Sequence, residues 1–144
     1  MAHGRPDFFG TPIHLKYGTT NVITDSKVGN LGIEKEIIRV DGCGVCLGGL
    51  VDECGNVPDE SDMIKLYVDD VMIEAVTPIV LLTRGLLNRN YPSLQLSTFD
   101  PDAPRFSFTF SGDWSYEHNF SIGVIAANIG GVTVRCWAWY YEVK

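Results

Sequence analysis

Long apolar runs are missing from this chain of 144 residues. None approaches the ~20 residues of a membrane-spanning helix, so insertion in a bilayer is not expected. Met1 to Phe9 has no apolar stretch of the kind a secretion signal carries, and Sec-type export is not expected either. Clustered positive charge is missing too: 11 Lys and Arg are scattered among 18 Asp and Glu, for a net charge of −7. Phosphate contacts need grouped basic side chains, so nucleic acid is excluded as a partner. No long stretch repeats its apolar residues with a helical period, which excludes an all-helical fold. There is no internal repeat and no low-complexity segment.

Catalytic and metal-binding spacings are equally scarce. The four cysteines include one pair at chelating distance, Cys43 and Cys46, while Cys54 and Cys136 stand far apart. Tetrahedral zinc needs four converging ligands, so no metal site is expected. Free thiols are the favoured reading. A disulfide joining Cys54 to Cys43 or Cys46 is the alternative, and Cys136 reads as a small buried hydrophobe. His3, His14 and His118 show no ligand spacing. Ser111 to Ser115 lacks the elbow that a serine nucleophile requires. The acidic stretch Asp52 to Asp62 reads as a solvated loop rather than a calcium site, since its spacing differs from an EF-hand and Pro58 interrupts it. Asp100 and Asp102 flank a proline and read as turn residues, not as a glycosidase pair. The chain is therefore expected to be a non-enzyme with no cofactor.

What remains is β-structure. At this length a single core forms without staples. Residues 1–20, broken by Gly4, Pro6, Gly10, Pro12 and Gly18, read as an extended N-terminal arm with apolar anchors Phe8, Phe9, Ile13, Leu15 and Tyr17. From residue 21 to 144, short runs bounded by turn residues predict an antiparallel β-sandwich of jelly-roll-like or immunoglobulin-like topology. Expected strands cover Thr20 to Thr24, Glu34 to Val40, Val45 to Val51, Met63 to Val68, Val71 to Val76, Leu94 to Phe99 and Phe106 to Ser111. Asp69 and Asp70 predict a compact hairpin turn, and Ile79 to Leu82 suits a buried strand or the start of a helix.

The end of the chain carries the functional signal. Phe120 to Asn128 and Gly131 to Val143 read as a closing hairpin turned by Ile129, Gly130 and Gly131, with Gly131 at positive φ. Alternation then gives Phe120, Ile122, Val124 and Ala126 one apolar face with Val132, Val134, Cys136, Ala138 and Tyr140. On the opposite face Arg135, Trp137, Trp139 and Tyr141 would lie beside Ser121 and Gly123. Large aromatics there must be covered, either by the chain itself or by another subunit. With Trp114, Tyr116, Phe8, Phe9 and Ile13 they form the expected interface, because Trp, Tyr and Arg are the anchors of protein contacts. Stacking on a sugar ring is the rival use, so a glycan is a possible partner.

The succession Ile37 to Gly42, Val45 to Val51, Ile64 to Asp70, Phe99 and Asp100, Phe106 to Phe110 and Phe120 to Val143 resembles small β-sandwich virion proteins of tailed phages. Phe120 to Asn128 followed by Tyr140 and Tyr141 is similar to their closing segment. Asp70, where a glycine is usual, and the four cysteines depart from the pattern. The resemblance implies a structural virion protein, made in the host cytoplasm: a capsid decoration or minor capsid protein, or a receptor-binding tail component. It also implies a homo-oligomer, with a trimer favoured, and contacts to a major capsid or other virion protein.

Overall fold

The computed structural model describes residues 21–87 and 94–143; the expected arm, with Phe8, Phe9 and Ile13, lies outside the described residues. Among the described residues there are nine strands: β1 (Asn21–Gly29), β2 (Lys35–Asp41), β3 (Gly44–Asn56), β4 (Met63–Val68), β5 (Val71–Val76), β6 (Leu94–Asp100), β7 (Arg105–Tyr116), β8 (Asn119–Ile125) and β9 (Val132–Glu142). One helix, α1 (Pro78–Leu87), connects β5 to β6. It decides the ambiguity at Ile79 to Leu82, because Pro78 suits a first helical position and Thr77 Oγ1 accepts the Val80 N–H at 3.2 Å.

The strands form two antiparallel sheets, ordered β1-β9-β3-β7-β6 and β2-β8-β4-β5, and the chain is an all-β sandwich. The core lies between them. Ile38 and Val40, Ile64 and Leu66, and Phe120, Ile122 and Val124 come from the smaller sheet. Val51, the phenylalanines Phe106, Phe108 and Phe110, and Val132, Val134, Cys136 and Ala138 come from the larger. Each fully buried side chain of this size contributes about 1.5–3 kcal/mol by leaving water.

The expected closing hairpin does not exist. β8 pairs with β2 and β4, whereas β9 pairs with β1 and β3 in the other sheet. Gly131 does take positive φ, +73°, but the turn it makes carries the chain across the core. The two apolar faces were identified correctly and still meet, as opposing walls: the Phe120 and Tyr140 rings contact edge to face with centroids 5.9 Å apart. Hydrophobic alternation specifies which face is buried. It does not specify whether the partner face lies beside a strand or across from it.

Two further boundaries moved. β3 runs on through Asp52 and Glu53 to Asn56, so the supposed solvated loop begins as the central strand. β1 continues through Asp25, Ser26 and Lys27, because β9 pairs with it along its whole length.

The β4–β5 turn holds both aspartates at positive φ, 52° for Asp69 and 63° for Asp70, the geometry a two-residue hairpin loop needs. Asp69 is preferred to glycine for a second reason. Its carboxylate accepts the backbone N–H groups of Glu117, His118 and Asn119, the shortest at 2.7 Å, and so ties this hairpin to the β7–β8 turn. Those N–H bonds hold the Asp69 carboxyl below its ordinary value of 3.8. A depressed acid stabilises the fold above its unfolded value and loses that contribution as pH falls through its folded one. Asp69→Asn is therefore expected to flatten the acid limb of a melting-temperature profile recorded from pH ~6 to ~2. An unchanged acid limb would remove Asp69 from the account.

Candidate functional site

The outer face of the larger sheet is built by three strands in register. Trp139 of β9 stands opposite Val22 of β1 and Gly48 of β3; Trp137 stands opposite Thr24 and Leu50. Arg135 stands opposite Ser26 and Asp52. Residues directly opposite share a face, so these three rows form one surface. Trp139 remains 44% exposed and Val22 56% exposed. Trp137 and Leu50 are half-buried, and exposed Thr24, Thr109 and Gln95 border them. Gly48, opposite Trp139, has no side chain and is itself buried.

The structure divides the predicted interface residues. Arg135, Trp137, Trp139 and Tyr141 share the outer face of β9, although Tyr141 is only 6% exposed and offers a partner little surface. Trp114 and Tyr116 do not belong to it. Both lie on the core side of β7, opposite Cys46 and Gly44. Trp114 stacks on Phe110 at 5.6 Å, and Tyr116, 1% exposed, meets the Phe120 ring at 5.0 Å. Aromatic composition pointed to all of them, but β7 runs on as far as Tyr116, so Trp114 and Tyr116 keep the inward parity of Phe106, Phe108 and Phe110.

Ser121 and Gly123 were expected beside the tryptophans and are instead on the other outer surface. There the smaller sheet carries charge. Glu34 bridges to Lys65 Nζ at 2.9 Å and accepts the Tyr67 hydroxyl at 2.8 Å, and its side chain lies against Gly123. The Lys65 bond is the largest cause holding the Glu34 carboxyl below its ordinary range. Arg39 Nε donates to Asp41 at 2.8 Å and its guanidinium also reaches Glu36 and Asp70. One outer surface is thus laced with ion pairs, and the other presents tryptophan.

The remaining candidates are placed as follows. All four cysteines are free thiols, so the disulfide alternative is overturned; Cys46 and Cys136 are buried, and burial pushes the Cys46 thiol up to about 12. Among the described residues, no three His, Cys, Asp or Glu are placed to hold a metal ion, and no helix is long and apolar enough to cross a membrane. Asp100 accepts the N–H groups of Asp102 and Ala103 at 3.1 Å and is a turn residue. The acidic stretch is not wholly solvated: Asp52 accepts the Ser107 hydroxyl at 2.7 Å, and Glu53 and Asp62 are fully buried. Strand parity after Val51 points Glu53 inward, a signal masked by its charge. Compared with known proteins, the chain matches no family model and no curated protein.

Proposed function

We propose that this chain is a non-enzymatic structural subunit, a virion building block of the capsid-decoration or minor-capsid kind, whose copies associate through the outer face of β9. The observation that carries this reading is the exposed Trp139 in a cross-strand row with exposed Val22, on a sheet face where charge would be the ordinary occupant. A second support is the strand interleave. β1-β9-β3-β7 facing β2-β8-β4-β5 reads as a jelly roll of two Greek keys, an architecture used in viral capsid and lectin domains. A specific interface buries about 1,200–2,000 Å², and tryptophan at its centre supplies a disproportionate share of the affinity.

Light scattering across a dilution series tests it. The wild type is expected to be an oligomer, with a trimer favoured. Trp139→Ala is expected to dissociate at roughly 30-fold higher concentration, the equivalent of about 2 kcal/mol. A wild type that is monomeric throughout the series would end the assembly reading. The same exposed indole favours a second use, stacking on a sugar. A monomer that binds a glycan array and loses binding in Trp139→Ala would put that reading first. A gene adjoining that of a major capsid protein supports the virion assignment, and one adjoining glycan-degrading enzymes supports the sugar.

A further inference from the structure

Glu53 is the least comfortable group in the molecule. It is 0% exposed, no N–H or hydroxyl among the described residues donates to its carboxyl, and the side chain within bonding reach is another acid, Asp62. It points into the core from β3, opposite Phe106 of β7 and Val134 of β9. Beside it lies Asp62, also fully buried but differently employed. Asp62 Oδ1 accepts the Ala127 N–H at 2.6 Å and Oδ2 accepts the Asp59 N–H at 2.8 Å. One carboxylate thereby fastens the β3–β4 loop to the crossover between β8 and β9. The Val57 N–H reinforces the seam by donating to the Gly131 carbonyl at 3.0 Å.

We propose that Glu53 is a proton-operated lock on this end of the sandwich: protonated, it lets residues 57–62 and 126–131 close over the core, and ionised, it forces them apart. Both Asp62 oxygens already accept backbone N–H groups whereas Glu53 receives no donor, so the proton shared by the two carboxyls belongs on Glu53. The charges acting on Glu53 are all negative, from Asp62 and Asp59 of the loop and Asp52 of its own strand. The neighbouring Cys136 of β9 is a buried neutral thiol, and Glu74, the buried carboxyl of the facing sheet, brings no positive charge. An ionised Glu53 would therefore be a buried anion with no counter-ion, which is more costly than opening the seam to water.

Burial first, and then Asp62, push the Glu53 carboxyl from its ordinary 4.5 up to about 11. A raised acid binds its proton more tightly in the closed form than in the open one. The lock is complete below the ordinary value and weakens as pH rises towards the folded value. This is the reverse of the Asp69 clamp.

Amide hydrogen exchange at Asp59 and Ala127, corrected for the intrinsic rate, reads the opening directly. Protection in the wild type is expected to fall about tenfold per pH unit between pH ~6 and ~9, the slope of one proton released on opening. In Glu53→Gln it is expected to be independent of pH. A flat wild-type profile overturns the proposal, as does an equal slope in Glu53→Gln. Should the amide variant fail to fold, Glu53→Met serves the same comparison, and a flat wild-type profile remains decisive by itself.

Discussion

Replacing Phe120 with alanine is expected to lower the unfolding free energy by about 3–5 kcal/mol, the usual cost of emptying an aromatic site in a packed core. Phe120 is completely buried in the centre of the smaller sheet, between Val40 and Val68, and its ring meets Tyr116 and Tyr140 from the larger one. The ring is therefore a contact between sheets, and neighbouring strands cannot fill its place without collapsing the sandwich. Urea unfolding gives the value, with the slope of the transition checked for constancy. A double-mutant cycle with Tyr140 should show a coupling of about 0.5–1.5 kcal/mol. A loss below about 1 kcal/mol would contradict the crossing of β8 and β9 between sheets.

Gly49→Ala is expected to be comparably severe, at about 3 kcal/mol or more, although it adds one methyl group. An added Cβ would collide with the Trp137 carbonyl and stand 2.5 Å from Phe110 Cζ. The first of these is backbone in a paired strand and has no rotamer to change. β3 is hydrogen-bonded on both sides, to β7 and to β9, so displacing it strains two ladders at once. Gly123→Ala is the control. Its nearest neighbours, the flexible Glu34 side chain and the Lys35 carbonyl, both stand at 3.4 Å, far looser than at Gly49, and a change within about 1 kcal/mol is expected. Thermal or urea unfolding of the two variants side by side decides the matter; equal effects would mean that close approach at Gly49 is not what the glycine provides.

Much of the local structure was legible before the fold was known. Phe106, Phe108 and Phe110 alternate with polar residues and do face the core. Asp69 and Asp70 do make the β4–β5 turn, and Asp100 does begin the β6–β7 turn. Gly131 does take positive φ. These are effects of short range, set by neighbours along the chain. The site was legible only in part. Trp137 and Trp139 were found because large rings on the outward parity of a strand are conspicuous. Trp114 and Tyr116 were assigned to the same surface by composition, and the continuation of β7 through residue 116 put them on the core side with Phe106, Phe108 and Phe110. The burial of Glu53 and Asp62 was hidden because charged residues near a proline read as solvent-exposed.

By itself the amino-acid order determined the class of fold, the buried parity of the strands and the chemistry of the turns, because each depends on side-chain alternation or on allowed backbone angles within a few residues. Only the tertiary structure decided which sheet each strand joins, since a two-residue period is satisfied equally by a neighbour alongside or a wall opposite. It alone showed that tryptophan occupies one outer surface and ion pairs the other. It alone brought Asp62 to Glu53, two carboxyl groups whose approach no local rule requires and whose shared burial leaves one of them holding a proton.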